Sequence, residues 1–189
     1  MDKKTFLNDY FSKMRSLISF NDDILNNIVQ VSNILKETNR KGKKTVIFGN
    51  GGSSAIASHF SVDLTKNARV RCTNLNEYDL ITCFANDYGY EKWVEKAIEF
   101  YADEGDNVIL ISAGGNSPNM INGAKAAKNK KVNKIVTFTG NEKDNKLNKL
   151  GDVKFWINSK SYNHVENVHQ IILLSIVDLI IGKSEYSPN

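Results

Sequence analysis

Two segments of this chain share one order of features: a short apolar run, a loop rich in glycine and serine, and a stretch with helical spacing. The first loop reads Phe48-Gly49-Asn50-Gly51-Gly52-Ser53-Ser54, and the second reads Ile111-Ser112-Ala113-Gly114-Gly115-Asn116-Ser117-Pro118. Each loop therefore links a predicted strand to a predicted helix. Short strands that alternate with helices are typical of a parallel sheet covered by helices on both faces. The sequence thus predicts an α/β fold.

The same alternation continues along the chain. Strands are predicted at Thr45–Phe48, Val70–Leu75, Asp79–Ala85, Val108–Ser112, Lys134–Thr139 and Val153–Ile157. Helices are predicted at Ser53–Lys66, Tyr90–Ala102, Pro118–Lys130, Asp144–Leu150 and Tyr162–Ile181. Phe6–Lys36 comes before all of them and contains neither proline nor glycine. Its apolar residues follow helical spacing with a break near residues 19–22, where Asn21 or Asp22 can cap a second helix.

The two opening helices carry apolar residues on more than one face. This pattern is consistent with burial against a neighbouring subunit, and a thick contact inside the chain would look the same. A chain of 189 residues suits one domain with a hydrophobic core. We therefore expect a single domain over residues 1–189, with an N-terminal helical oligomerisation segment at 1–40 and an αβα core at 41–183.

Charge and cysteine content limit the kinds of function and the cellular compartment that the chain can have. The net charge is +4, and no dense block of lysine and arginine is present, which argues against nucleic-acid binding. A modest positive field would instead attract an anionic substrate. Cys72 and Cys83 lie in apolar, strand-like stretches and are expected to be reduced core residues. No signal segment and no uninterrupted apolar run of about 18 residues is seen, so we expect a cytoplasmic protein without a membrane span.

Both glycine- and serine-rich loops have the chemistry of an anion site. Glycines let the backbone approach a ligand closely, and hydroxyls at Ser53, Ser54 and Ser117 accompany the free N–H groups at a helix start. In an open parallel sheet, ligands bind beyond the carboxyl ends of the strands. The alternative interpretation is a pair of tight turns with ordinary helix caps. A Walker A loop is excluded because Gly52 is not followed by lysine, and a dinucleotide fingerprint fits only loosely.

Several motifs together resemble one known family. They are Gly49-Asn50-Gly51-Gly52-Ser53, His59-Phe60, Ala85-Asn86-Asp87-Tyr88-Gly89, Gly115-Asn116-Ser117-Pro118, Thr137-Phe138-Thr139-Gly140 and Glu166-Asn167-Val168-His169. In this order they resemble the sedoheptulose-7-phosphate isomerase (phosphoheptose isomerase) branch of the SIS-domain family. The resemblance implies a three-layer αβα fold with a five-stranded parallel sheet. It also implies a homotetramer with active sites between subunits and an aldose–ketose interconversion that supplies heptose for lipopolysaccharide, capsule or other surface glycans.

The resemblance also implies roles for individual residues. The substrate-binding set would be Asn50, Gly51, Gly52, Ser53, Asp87, Ser112, Gly115, Asn116 and Ser117, with the serines on the phosphate and Asn50 and Asp87 facing the sugar. Proton transfer would fall to His59, Asp63, Glu166 and His169. In many members of the family such residues hold zinc, for which the candidate ligands here are His59, Asp63 and Glu166.

The chain differs from the family pattern at several of these positions. Asp63 stands where the family has glutamate, Glu166 where it has glutamine, and Leu174 where it has histidine. In the second loop, Ala113 and Gly114 replace threonine and serine. His169, three residues after Glu166 on the same helix face, is predicted to substitute in part for the missing histidine. Two functions therefore remain open: a phosphosugar isomerase, or a non-catalytic SIS protein that binds a sugar phosphate or a protein partner.

Overall fold

The computed structural model describes residues 2–187, and over this range the chain forms five strands and seven α-helices. The elements in chain order are α1 Lys3–Leu17, α2 Asp22–Arg40, β1 Thr45–Gly49, α3 Gly52–Lys66, β2 Cys72–Asn74, α4 Tyr78–Tyr88, α5 Trp93–Tyr101, β3 Asn107–Ser112, α6 Pro118–Asn129, β4 Lys134–Thr139, β5 Val153–Trp156 and α7 Tyr162–Ile181. Single 3₁₀ turns lie at Tyr90–Lys92 and Asn148–Leu150.

The five strands form one parallel sheet in the order β2-β1-β3-β4-β5. The chain leaves β1 in one direction to reach β2 and then returns to place β3 on the other side of β1. Gly49 at the end of β1 is paired with Ile111 near the end of β3. Because strand order reverses here, a crevice opens beyond the carboxyl ends of β1 and β3, where ligands bind in open α/β sheets.

Alternate residues of the sheet feed two separate hydrophobic cores, one on each face. Ile47, Ile109 and Phe138 point into a core covered by α2, α3 and α7. Phe48 and Leu110 point to the opposite face, where α5 and α6 close the second core. Strands buried on both faces explain why their sequences are continuous apolar runs. The predicted three-layer αβα architecture is confirmed.

The two opening helices form as predicted, with the break at residues 18–21 and the side chain of Asn21 accepting a hydrogen bond from the backbone N–H of Ile24. They are buried to different degrees. Helix α2 contributes Val31 and Leu35 to the first core. Helix α1 has no buried residue, and large apolar side chains such as Phe6 and Phe11 are about half exposed. Helix α2 thus belongs to the αβα layers, whereas α1 lies on the surface of the chain.

Three sequence predictions need correction. Asp79–Ala85 is not a strand but lies inside α4, because Leu80, Ile81 and Phe84 share one helical face that packs on the second core. A short apolar run cannot be assigned to strand or helix from its periodicity alone. Cys83 consequently lies on the exposed side of α4 rather than in the core. The helix predicted at Asp144–Leu150 is reduced to its final 3₁₀ turn.

Helix α7 is the most apolar helix of the chain, and its side chains form a large part of the first core. By length and composition alone it could cross a membrane. Eight of its side chains are nevertheless buried within the domain, among them Val168, Ile172 and Ile176. This is the position of a core helix in a soluble αβα protein.

Candidate active site

A cavity of about 410 Å³ opens beyond the carboxyl ends of β1 and β3. Both glycine- and serine-rich loops contribute to its wall, so the two segments that the sequence singled out meet at one place. Its lining residues are Asn50, Ser53, Ile111, Ser112, Ala113, Gly114, Asn116, Ser117, Asn141, Tyr162 and Glu166. Most of them are small and polar, as suits a hydrophilic anionic ligand.

The first loop leads directly from β1 into α3. Gly51 takes a positive φ of 54° as the residue before the helix, and no side chain caps the N–H groups of the first turn. A Cβ at position 49 would collide with the backbone carbonyl of Ser53, so the tight approach of strand and helix requires glycine there. Ser53 is buried and lines the cavity. The loop therefore offers backbone N–H groups and one hydroxyl to a ligand.

The second loop repeats this arrangement between β3 and α6. Ser117 precedes α6 and Pro118 occupies its first turn, as the sequence predicted. The Ser117 side chain does not cap the helix; its Oγ lies 3.0 Å from the Oγ of Ser112. Gly115 has a φ of 66°, and any side chain there would strike the buried amide of Asn145. The paired hydroxyls and the uncapped N–H groups of α6 thus face the same cavity as α3.

A pair of asparagines ties the two loops together. The side-chain amides of Asn50 and Asn119 exchange two hydrogen bonds of 3.1 Å and 2.9 Å. The Asn50 carbonyl also accepts a bond of 3.1 Å from the hydroxyl of Tyr90. Asn119 is buried in α6, so this pair fixes the separation of the two helix N-termini. Neither Asn119 nor Tyr90 was predicted, since nothing in the local sequence shows which residues cross from one loop to the other.

A polar stripe leads away from the cavity along the groove between α3 and α7. Glu166 of α7 lines the cavity and lies against Gly52, where a Cβ would meet its carboxylate. Further along α3, Nε2 of His59 lies 3.3 Å from Oδ2 of Asp63, one helical turn later. Nδ1 of His59 is 3.1 Å from Nε2 of Gln170, which lies one turn after Glu166 on α7. The stripe thus joins a carboxylate at the cavity wall to a histidine–aspartate pair nearer the surface.

Comparison with known proteins agrees with this geometry. A family model described as SIS domain matches residues 9–140. The phosphoheptose isomerase of Fusobacterium nucleatum is 40% identical over 144 residues, which cover 73% of each chain. The chain belongs to the SIS-domain family, in its phosphoheptose isomerase branch. The phosphoheptose isomerase of Aliarcobacter butzleri is 28% identical over 94% of this chain and 96% of its own.

Solved structures give the same fold for this SIS-domain protein. The phosphoheptose isomerase GmhA from Neisseria gonorrhoeae superimposes with a TM-score of 0.87 at 21% identity, covering 96% of this chain and all of its own. A phosphoheptose isomerase from Francisella tularensis gives 0.86 at 22% identity. At these identities the superpositions establish the fold.

One predicted member of the SIS-domain site lies elsewhere. His169 is completely buried, packs edge-on against Phe138, and its Nε2 donates to the carbonyl of Thr139 at 3.1 Å. It therefore faces the sheet and not His59 or Asp63, and its predicted role in proton transfer is wrong. Burial lowers the pKa of His169 from its ordinary 6.5 to about 4, so the ring is neutral inside the core. Residues three apart on a helix are neighbours, but Glu166 lies at the edge of the buried face of α7, whereas His169 lies within it.

Asp87 also lies away from the cavity in this SIS-domain chain. It is exposed on α4, where Nδ2 of Asn86 donates to it at 2.9 Å, and it does not line the cavity. Its contact with the sugar stays a prediction. By contrast, Asn50, Ser53, Ser112, Asn116 and Ser117 line the cavity, and Gly51, Gly52 and Gly115 form the backbone of its two loops.

The predicted zinc ligands do not form a metal site within this SIS-domain chain. Across residues 2–187, no three side chains of histidine, cysteine, aspartate or glutamate converge as ligands would. His59 and Asp63 are a pair, while Glu166 lies beside Gly52. Zinc sites in proteins need three or four such donors. These residues therefore do not fit a zinc ion, and no step below depends on one.

Two further cavity residues of this SIS-domain protein were missed. Tyr162 begins α7 at the cavity mouth, is 65% exposed, and places its hydroxyl close to Gly114. Asn141, just after β4, also lines the cavity and has a positive φ. Asn141 follows the predicted strand Lys134–Thr139, and Tyr162 begins the predicted helix Tyr162–Ile181. Their positions at these element ends could have indicated that they lie near the site.

Proposed function

We propose that the chain is a phosphoheptose isomerase that interconverts sedoheptulose 7-phosphate and D-glycero-D-manno-heptose 7-phosphate. One observation carries this proposal: the hydroxyls of Ser53, Ser112 and Ser117 and the uncapped N-termini of α3 and α6 line the same cavity. Helix N-termini favour anions through their free N–H groups and the helix dipole. These hydroxyls and helix N-termini, here called the cradle, do not specify the length of the sugar. The seven-carbon substrate is inferred from the relatives, which are phosphoheptose isomerases.

The distance between cradle and carboxylates supports a long substrate. Aldose–ketose chemistry takes place at C1 and C2, whereas the phosphate of a heptose 7-phosphate is at the other end of the molecule. Along α3, Gly52 at the cradle is separated by a rise of roughly 10 Å from His59 and roughly 16 Å from Asp63, at 1.5 Å per residue. An extended sugar held by its phosphate would pass Glu166 and bring its first carbons towards His59 and Asp63.

The reaction needs one carbon-bound proton moved and one oxygen-bound proton exchanged. We assign the first task to Asp63, whose carboxylate takes a proton from C1 of the ketose. The C–H electron pair forms the C1–C2 double bond while the C2 oxygen takes up a proton, which gives the enediol. Return of the proton from Asp63 to C2 and loss of the O1 proton complete the aldose. We assign the exchange of the proton between O1 and O2 to water, because Glu166 lies beside Gly52 at the phosphate end; its predicted part in proton transfer stays a prediction.

The direct test is turnover of purified protein with sedoheptulose 7-phosphate, followed by the appearance of the aldose 7-phosphate. We expect turnover in the wild type and its loss in Asp63→Asn. Pentose and hexose phosphates serve as matched substrates, because the cradle would bind them while their first carbons fall short of Asp63. Absence of turnover with every sugar phosphate would refute the isomerase assignment.

A second function is sugar-phosphate binding without catalysis. It is favoured by the burial of His169, which leaves His59, Asp63 and Glu166 as the titratable side chains along the stripe. Under this alternative, calorimetry would detect binding of sedoheptulose 7-phosphate, and the binding would depend on Ser112 and Ser117. No aldose would form under any condition. The turnover experiment therefore separates the two functions.

We further propose a homotetramer in which α1 lies between subunits. The exposed apolar side chains of this helix include Phe6, Leu7 and Phe11, which a soluble chain rarely leaves uncovered as a group. Light scattering should give four times the chain mass for the wild type and a smaller mass for the double variant Phe6→Ser, Phe11→Ser. A monomeric wild type would contradict this part. We also propose that the protein acts in the cytoplasm, where it would supply heptose for lipopolysaccharide or capsule.

A further inference from the structure

Gln170 of α7 makes a hydrogen bond to His59, and no role was predicted for it from the sequence. Its Nε2 lies 3.1 Å from Nδ1 of the imidazole. The other ring nitrogen, Nε2, lies 3.3 Å from Oδ2 of Asp63. The histidine is therefore contacted at both nitrogens, by a residue of each helix that borders the stripe.

The chemistry of the amide decides where the proton of a neutral His59 resides. An amide nitrogen only donates, so the Nδ1 that faces it must be the unprotonated nitrogen. The ring proton is then on Nε2, on the side that faces Asp63. The second carboxylate oxygen of Asp63, Oδ1, accepts a hydrogen bond of 3.2 Å from Nδ2 of Asn67. Both oxygens of Asp63 thus face donors.

The fold brings these groups together from different elements. His59, Asp63 and Asn67 follow one another at four-residue intervals on one face of α3 and its C-terminal end, where side chains are neighbours. Gln170 comes from α7, which packs along α3. Gln170 itself is partly exposed, and no other hydrogen bond engages its side chain within residues 2–187. Its amide therefore hydrogen-bonds to His59 without competition from another partner among these residues.

We propose that Gln170 is a positioning residue for the isomerisation: by donating to Nδ1 it holds His59 in the Nε2–H tautomer, and His59 in turn orients the Asp63 carboxylate towards the substrate. This inference rests on the proposed function, because Asp63 is the base of that reaction. It gives His59 an orienting task in place of direct proton transfer. Both ring nitrogens are occupied, so the imidazole has no free nitrogen to offer a substrate oxygen.

The first test reads the tautomer directly. In ¹⁵N-labelled protein at a pH where imidazoles are neutral, the two ring nitrogens of a histidine have distinct chemical shifts. The signals of His59 are assigned by their loss in His59→Gln. We expect the wild type to show Nδ1 unprotonated and Nε2 protonated. In Gln170→Glu both ring nitrogens face carboxylates, which only accept, so Nδ1 should be protonated in addition to Nε2; in Gln170→Leu the donor to Nδ1 is lost, so the share of the Nδ1–H tautomer should increase.

The second test measures turnover of sedoheptulose 7-phosphate. Because a misplaced base slows chemistry without weakening phosphate binding, kcat should fall roughly 10- to 100-fold in Gln170→Glu and Gln170→Leu while KM changes little. Gln30→Glu on α2 is the matched control, since Gln30 is exposed and the charge change is the same. It should leave kcat, KM and the His59 tautomer unchanged.

The outcomes separate this proposal from the proposed function. A His59 that carries its proton on Nδ1 in the wild type, or a tautomer that neither variant alters, overturns the role of Gln170. Unchanged kcat in both variants overturns it as well. If the wild type turns over no sugar phosphate, the isomerase assignment fails, and the catalytic part of this proposal fails as well. The NMR measurement of the tautomer still shows in that case whether Gln170 orients His59.

Discussion

The two ends of the site are built from different material. The cradle end consists of backbone N–H groups and short hydroxyl side chains, of which Ser53 and Ser112 are only 3% and 5% exposed and Ser117 is partly buried. The far end consists of long polar side chains on helix surfaces, where His59 and Asp63 are 47% and 25% exposed. One end is fixed by the path of the chain; the other depends on how two helices happen to face each other.

This difference assigns separate tasks to the two ends. Under the proposed function, the rigid cradle holds the part of the substrate that does not change in the reaction, so it should govern binding. The carboxylate of Asp63, oriented by the imidazole of His59, would act where bonds change, so this end should govern the rate. Substitutions at the two ends should accordingly separate KM from kcat.

The largest effect is expected at the far end. Asp63→Asn keeps the size of the side chain but removes the base, and kcat for sedoheptulose 7-phosphate should fall roughly 10²- to 10⁴-fold with KM nearly unchanged. Asp79→Asn on the exposed face of α4 is the matched control. Steady-state kinetics provide the measurement. Full activity in Asp63→Asn would show that another group is the base and would remove the distinction between the two ends.

A second effect concerns stability, and it comes from His169 behind the cradle. Its folded-state pKa of about 4 lies below the ordinary 6.5, so between these values the unfolded chain binds a proton that the folded chain does not. Stability should therefore fall as pH drops from 6.5 towards 4, by on the order of 3 kcal/mol from this residue.

Denaturant unfolding at a series of pH values checks this for His169. In His169→Gln, whose amide can still donate to the Thr139 carbonyl, the free energy of unfolding should depend less steeply on pH over that range. Equal slopes in wild type and variant would mean that His169 is protonated in the folded protein and is not sealed in the core.

A smaller effect is expected at the cradle. Ser117→Ala removes one hydroxyl from the phosphate, and a hydrogen bond to a charged group contributes about 1.5–3 kcal/mol. KM should rise roughly 10- to 100-fold with little change in kcat. Ser54→Ala on α3 is the control, because Ser54 does not line the cavity. A fall in kcat at constant KM would contradict the division of tasks between the two ends.

No effect is expected from chelation. His59 and Asp63 have no third donor side chain beside them within residues 2–187, so dialysis against a chelator should leave kcat unchanged. Steady-state rates before and after dialysis, with metal content measured in parallel, provide the check. Loss of activity that added zinc restores would show that the far end is completed by donors from another subunit.

The same contrast explains what could be predicted from sequence. The cradle followed from the order of strand, glycine- and serine-rich loop and helix, because adjacent parallel strands must end side by side. Gln170 and His169 could not be assigned, since the rotation of α7 about its axis decides which of them faces α3 and which faces the sheet. The strand prediction for Asp79–Ala85 was wrong for a related reason. The apolar residues of this segment fit a strand locally, and only their packing on the second core selects a helix.

The central claim is that one phosphate is held by both loops at once. A crystal structure with sedoheptulose 7-phosphate tests it most directly. The phosphate oxygens should lie within hydrogen-bonding distance of the Ser53, Ser112 and Ser117 hydroxyls and of the first N–H groups of α3 and α6, with C1 and C2 directed towards Asp63. A phosphate bound away from these two helix starts would contradict the account.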